Sequence, residues 1–387
     1  MRIALVITEL HPGGAEKCCV SLACYLRDRG HEVAVWQLWP EPPPDRCQLT
    51  ALLDQHGIAW HSGNARLARH FIQATRWLRR ELIAFEPDVT QSFMFHANLA
   101  AALVHRLSPS RLPGRLYGGV RVAQPEGWRQ KLQRWAAGQM DKIVCVSHSV
   151  AEHCRIQEGI AVDKLLVIPN GIDLTATPIE NPPSENLSTE NLPTQNRSCW
   201  SQLGLPKQSR VLLFVGRLTA QKGIVEFMAR LAPELLKRLP NHHLVLMGDG
   251  EQAAELRHLA DQSAAAARVH LVGWQPQPMQ WMRAAELLIL PTRYEGMPNV
   301  ILEAMAVGRP VVSFDVDGVR ELLGDEAMAT AQIVPPRDWS AFGAAIIDLA
   351  DDQALQLRCG QANMLRVRRH FDLNDQLARY EQLYQSL

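Results

Sequence analysis

Residues 210–227 read RVLLFVGRLTAQKGIVEF, and the order of their chemistry decides the fold class. Val211 to Val215 is an uninterrupted apolar run, the pattern of a strand hidden on both faces of a parallel sheet. Gly216 closes the run, a loop carries Arg217 and Lys222, and a helical spacing begins beyond Gly223. Strand, glycine-bounded loop and helix are the repeating half of a doubly wound α/β domain. Downstream, HLVLMGDG (243–250), VHLVGW (269–274), LLILPT (287–292) and PVVSFD (310–315) alternate with helical stretches in the same way. Together they predict one Rossmann-like domain over 205–365.

The same alternation runs upstream. Met1 to Thr8 is an apolar strand ending in the turn ELHPGGAE, and a helical face of Ala15, Cys18, Cys19, Leu22, Ala23 and Leu26 stops at Gly30. HEVAVWQL (31–38), DVTQSFMF (88–95), RLYGGV (115–120), KIVCVS (142–147) and LLVIPNG (165–171) complete a second Rossmann-like domain over 1–173. Residues 174–204 change abruptly to Pro, Asn, Ser, Thr and Glu, with an imperfect echo in ENPPSENLSTENLPT, and read as a mobile linker insertion. In 366–387, Leu373, Leu377, Tyr380, Leu383 and Tyr384 give a C-terminal helix free to pack on either domain, including back on the N-terminal one.

At 387 residues the chain suits two domains, and 47% hydrophobic with 21% charged residues excludes a disordered or fibrous class. No apolar run reaches 18 residues, and MRIALVITEL lacks the layout of a secretory signal, so a cytoplasmic location is expected. The eight cysteines form no C-x-x-C pair and read as buried free thiols. Zero formal charge gives no expectation of a nucleic-acid partner. It hides an asymmetry, since 12 basic residues face four acidic ones between Arg66 and Arg134. With Trp77, Trp128 and Trp135 among them, this stretch is either a solvated helical face or a footprint for an anionic membrane surface.

Three turns carry chemistry. Gly13 and Gly14 precede a helix, where exposed amides suit a phosphate and a plain tight turn suits equally well. Arg217 offers a planar fork and Lys222 a mobile point charge, a combination fit to neutralise a departing diphosphate or simply to be two surface cations. In YEGMPNVILEAMAVGRPVV, Pro298 and Asn299 suit a helix start and Gly308 its end. Glu295 then sits in the loop, Glu303 about one turn inside the helix, and the amides of Gly296, Met297, Asn299 and Val300 between them. Two surface glutamates are the plainer alternative.

Together these segments resemble the family-four retaining glycosyltransferases of the GT-B fold. The resemblance rests on ELHPGGAEK (9–17), HAN (96–98), VS (146–147), PNGID (169–173), VGRL with KG (215–223), MGDG (247–250), HLVGW (270–274) and EGMPNVILEAMAVGRPVV (295–312). The E-x7-E element in its EG-x-P setting is specific for this superfamily and nearly silent on the sugar. The resemblance implies two Rossmann-like domains facing across a cleft. It also implies that Arg217 and Lys222 bind the donor diphosphate, Glu303 the ribose, and Glu295 the transferred sugar, with the Gly14 amide near the phosphates. Asp249, Gly250 and Trp274 fall where such enzymes hold the base. His96 lies where members often have a histidine near the reacting sugar, either orienting it or stabilising charge at C1. Gln91-Ser92-Phe93 departs from the family's common His-x-His.

The expected reaction is transfer of a hexosyl group, with retention, from a nucleoside-diphosphate sugar to an acceptor hydroxyl on a saccharide or lipid-linked acceptor, in polysaccharide or glycolipid synthesis. The carrier is expected to be UDP, no cofactor is expected, and no metal. Asp315-Val316-Asp317 matches D-x-D in letters but belongs to the turn after the sugar-binding helix. A sugar-nucleotide epimerase of the same fold and a noncatalytic nucleotide-binding protein are the alternatives.

Overall fold

The computed structural model describes residues 1–65, 70–122, 126–175, 198–206 and 208–386. The contacts divide the chain into two units, Met1–Asn170 with Asn374–Leu387, and Gly171–Leu373.

In the first unit, β1 (Arg2–Ile7), β2 (Glu32–Gln37), β3 (Ala59–Ser62), β4 (Val89–Phe93), β5 (Arg115–Val120), β6 (Lys142–Cys145) and β7 (Leu165–Val167) form a parallel sheet in the order β3-β2-β1-β4-β5-β6-β7. Ile3 to Ile7 of β1 have no exposure at all, as the unbroken apolar run requires of a central strand. On one face, Ala4, Val6 and Trp36 pack against Leu78 and Leu82 of the helix Phe71–Phe85 and against Ala97, Ala100 and Val104 of the helix Met94–Arg106. The short edge strand β3, reading AWHS, was not foreseen. It alternates half-buried with exposed residues and has too little apolar content to stand out.

The C-terminal helix Leu373–Gln385 completes this unit. Tyr380 and Tyr384 are buried in it, the Tyr384 hydroxyl donates to Gln91 Oε1 at 3.2 Å, and its ring stacks on Tyr117 with centroids 5.7 Å apart. Glu381 accepts from Arg29 Nε at 2.7 Å and pairs with His31 at 3.1 Å.

The second unit contains β8 (Arg210–Val215), β9 (His242–Met247), β10 (Val269–Gly273), β11 (Leu287–Leu290), β12 (Val311–Phe314) and β13 (Ile333–Val334), all parallel, in the order β10-β9-β8-β11-β12-β13. The two-residue β13 escaped the sequence reading. The domain limits also move. The helix Gln353–His370 runs straight through residue 365, with Cys359 and Val367 fully buried and Asn363 Nδ2 donating to the Arg309 carbonyl at 3.0 Å. This unit therefore ends at Leu373. The polar composition of that helix conceals its apolar stripe.

At the other end, the helix Ser198–Gln202 is not linker. Trp200 is buried, its indole N–H donates to the Ala284 carbonyl at 3.0 Å, and its ring meets the Trp281 ring edge-on. The remainder of the insertion, residues 176–197, lies outside the described residues. Among the described residues no helix is long and apolar enough to cross a membrane.

Candidate active site

A doubly wound sheet opens a crevice where its strand order reverses, outside the carboxyl ends of the strands. In the second unit that reversal lies between β8 and β11, which pair through Leu287 with Leu212 and Leu288 with Leu213. The loop leaving β8 carries Arg217 and Lys222, and the loop leaving β11 carries Glu295. Residues 73 apart in sequence meet there because the loops fit backbone to backbone. Gly223 has φ +65°, and a Cβ on it would overlap the Pro291 carbonyl oxygen, so a larger residue would force the loops apart. The Arg293 amide donates to the Gln221 carbonyl, and the Gln221 side chain returns a bond to the Tyr294 carbonyl, each at 2.8 Å.

The neighbouring loops join the same rim. Gly248, at φ +138°, lies so close to Gly216 that a Cβ would overlap the Gly216 carbonyl oxygen, and the Leu218 amide donates to the Asp249 carbonyl at 2.8 Å. The Gly248 amide in turn donates to the Gly273 carbonyl at 2.9 Å. Asp249, Gly250 and Trp274 therefore stand on the same edge of the sheet as Arg217. The helix Asn299–Ala306 starts at Pro298 and ends before Gly308, with Gly296 and Met297 buried ahead of it, Asn299 and Val300 half-buried in its first turn, and Glu303 half-buried as its fifth residue.

The central feature is an ion pair. Lys222 Nζ donates to Glu295 Oε1 at 2.5 Å, with side-chain exposures of 13% and 7%. Thr292 Oγ1 donates to the same oxygen at 2.9 Å. Both bonds fall on Oε1. Arg217, by contrast, is exposed. The sequence assigned Lys222 and Glu295 to different parts of a donor and did not pair them. Thr292, in the tract LLILPT, was not singled out, because a threonine after an apolar strand carries no distinguishing signal.

In the first unit the strand order reverses between β1 and β4, where Ile7 lies opposite Phe93. Gly14 opens the helix Gly14–Asp28 beyond β1, and His96 is the third residue of the helix beyond β4. Glu16, buried in the first turn, already sets a carboxylate beside Gly13 at the positive end of the helix dipole. His96 lies between the rings of Trp39 and Phe95, with centroids at 5.6 and 5.2 Å. Burial and, second, the Arg129 charge push its pKa below the usual histidine value. Met94, two residues before it, holds a left-handed φ of +69°, uncommon for a residue with a Cβ.

Sequence reading missed Arg121 at the carboxyl end of β5. It is buried, and its Nη2 donates to Asn170 Oδ1 at 2.5 Å. It missed Asn98 as a clamp, which accepts from Ser92 Oγ at 2.8 Å and donates to the Gly119 carbonyl at 3.0 Å. Asp315, of the D-x-D lettering, is ion-paired with Arg320. The basic stretch does not present its three tryptophans alike. Trp128 is exposed, whereas Trp77 packs against the sheet core, and residues 66–69 and 123–125 of the stretch lie outside the described residues.

Known proteins share this architecture. Residues 12–176 match the family model described as Glycosyltransferase Family 4, and residues 209–352 match that described as Glycosyl transferases group 1. The alpha-D-kanosaminyltransferase of Streptomyces kanamyceticus is 35% identical over 153 residues, 39% of each chain. An Escherichia coli UDP-Gal:alpha-D-GlcNAc-diphosphoundecaprenol alpha-1,3-galactosyltransferase is 27% identical over 230 residues, 58% of this chain and 55% of the relative. The chain thus matches less than two thirds of the length of either. The crystal structure of Anabaena HepE with UDP and glucose superposes over 100% of both chains with a TM-score of 0.81 at 19% identity, which shows a common fold. Two family models on two Rossmann-like units, each with its marked residues on the rim where strand order reverses, establish that the chain belongs to the family-four glycosyltransferases of the GT-B fold.

Proposed function

We propose that the chain transfers a hexosyl group from a UDP-sugar to the hydroxyl of a saccharide or lipid-linked acceptor, with retention of anomeric configuration. The observation that carries this reading is the Lys222–Glu295 pair at the β8/β11 reversal. An ammonium there meets a diphosphate while the carboxylate beside it faces the sugar. In this reading the exposed Arg217 joins Lys222 in neutralising the leaving diphosphate, so that charge stabilisation comes from side chains rather than from a metal. Glu295 accepts from sugar hydroxyls through Oε2, the oxygen not used by Lys222 and Thr292. Glu303 takes the ribose, the backbone from Gly296 to Val300 the phosphates, and Asp249, Gly250 and Trp274 the base. Gly14 adds an amide, and His96 stays neutral and orients the sugar. With Glu295 occupied by sugar hydroxyls, no carboxylate of the proposed site is assigned as a nucleophile, which favours attack from the face of departure with the leaving phosphate oxygen drawing off the acceptor proton. UDP as carrier is supported by the UDP held in HepE crystals and the UDP-Gal named for the E. coli relative.

Contact with an anionic membrane, and with it a role in glycolipid or polysaccharide synthesis at the cytoplasmic face, is supported by the helix Gly127–Gly138. It exposes Trp128 and Leu132 among Arg129, Lys131 and Arg134.

Calorimetric titration with UDP, GDP and ADP tests the donor, followed by incubation of the matching sugar nucleotides with and without acceptor saccharides. Binding of none of the three, or its survival in Lys222→Ala, would refute the assignment. Conversion of the sugar without any acceptor would indicate an epimerase. Loss of activity in EDTA with recovery in Mn²⁺ would overturn the metal-free account.

A further inference from the structure

Beside Pro291 and Thr292 of the loop that leads to Glu295, and lined by residues of the helices Ile224–Arg230 and Trp339–Asp351, lies a cavity of about 470 Å³ whose arginines and aromatic rings the donor assignment does not use. Its floor and walls include Pro291, Phe314 and Trp339, with the last two rings edge to face at 5.0 Å. Arg230, Arg293 and Arg337 reach it, against a single acid, Glu226, which is ion-paired with Arg293. Three arginines beside an aromatic wall have the chemistry to recognise an anion with an apolar body attached.

The backbone adds an independent observation. Arg337 holds φ +65°, a left-handed conformation that glycine adopts freely and arginine adopts at a cost. Such backbone outliers cluster at functional sites, and here Arg337 lines the cavity. Asp338 caps the following helix by accepting from the Ala341 amide at 2.9 Å, so anion recognition falls to the arginines and not to the helix end.

We propose that this cavity binds a phosphate monoester carried on a ring, a sugar phosphate or a nucleoside monophosphate, with the phosphate held by Arg230 and Arg337 and the ring against Trp339. Arg293 couples the cavity to the donor side. It follows Thr292, the residue bonded to Glu295, and an occupant that draws Arg293 from Glu226 shifts the loop holding that carboxylate.

Calorimetry on the full chain with glucose 6-phosphate, AMP and inorganic phosphate tests the site and distinguishes its sources. The sugar phosphate or the nucleotide binds more tightly than inorganic phosphate, and that binding survives in Lys222→Ala, which disables the donor side. It weakens about tenfold or more in Arg230→Ala and in Arg337→Gly. Arg337→Gly relieves the backbone, so its melting temperature rises by about 2–4 °C while ligand binding falls, opposite signs that a general folding defect cannot produce. Absence of binding by all three probes at millimolar concentration, binding unchanged in Arg337→Gly, or binding abolished by Lys222→Ala would each overturn the proposal. The last outcome would assign the anion to the donor side.

Discussion

Replacing Lys222 with methionine tests the centre of the proposed donor site in the absence of any ligand. The substitution keeps the length and apolar stem of the side chain and removes its charge, leaving the Glu295 carboxylate at 7% exposure with Thr292 Oγ1 as its remaining described donor. Breaking a buried pair by removing one partner costs about 3–5 kcal/mol. The 13% exposure of Lys222 and the retained Thr292 bond place the value at the lower end, about 3 kcal/mol. For a unit of this size that lowers the melting temperature by roughly 6–12 °C. Glu295→Gln keeps an oxygen for both donors and costs less, about 1–2 kcal/mol. The Lys222→Met/Glu295→Gln double variant removes both charges and recovers part of the loss, so a double-mutant cycle on chemical-denaturation midpoints returns a coupling of about 1–2 kcal/mol. A loss below about 1 kcal/mol in Lys222→Met, or singles that add without coupling, would show the pair to be solvent-screened like a surface bridge. The claim that these loops hold a preformed, dry charge pair would then fail.

Arg217 is exposed, so Arg217→Ala leaves the melting temperature within about a degree while weakening UDP binding by roughly 10- to 100-fold in calorimetry, the loss expected for a charge-assisted contact. Burial pushes the Glu158 carboxyl up to about 7, against the pull of a hydrogen bond with Cys154. The folded chain then holds that proton more tightly than the unfolded chain, whose ordinary value is 4.5. Stability is fullest below that value and falls as pH rises towards 7, by about 3 kcal/mol at most. Glu158→Gln should flatten this slope, so melting curves at pH 5 and pH 8 should show the variant gaining on the parent at the higher pH. Equal slopes in both proteins would disprove the assignment. Trp128→Ala combined with Arg129→Ala should cut flotation with phosphatidylserine vesicles at low salt, with neutral vesicles as the control.

What the sequence made legible were features with a strong local signature. The unbroken apolar runs at Ile3–Ile7 and Val211–Phe214 became fully buried central strands, and Pro298 with Gly308 marked the limits of one helix. Weak local signals hid β3, β13 and the helix Gln353–His370, since two to four residues or a mostly polar stripe do not rise above their surroundings. At the site, residue type and position after a strand picked out Arg217, Lys222, Glu295 and Glu303. The bond between Lys222 and Glu295 was not readable, because it depends on Gly223 fitting under Pro291, a contact between distant loops. Arg121 was illegible for a similar reason. Its partners, Asn170 and Cys18, lie 49 and 103 residues away.

The return of the last helix to the first unit makes the second unit an insertion rather than a C-terminal half. Its two ends touch, with the Ile172 amide donating to the Phe371 carbonyl at 2.9 Å and the Leu373 amide to the Ile172 carbonyl at 3.2 Å. Cutting the chain once near residue 170 would strip Tyr380 and Tyr384 from the first unit and open its core. A cassette of residues 171–373 respects the architecture instead. If the proposed donor assignment holds, exchanging that cassette between relatives through two adjoining junctions moves the nucleotide-sugar preference with it, whereas a chimera with a single junction separates the last helix from the unit it completes.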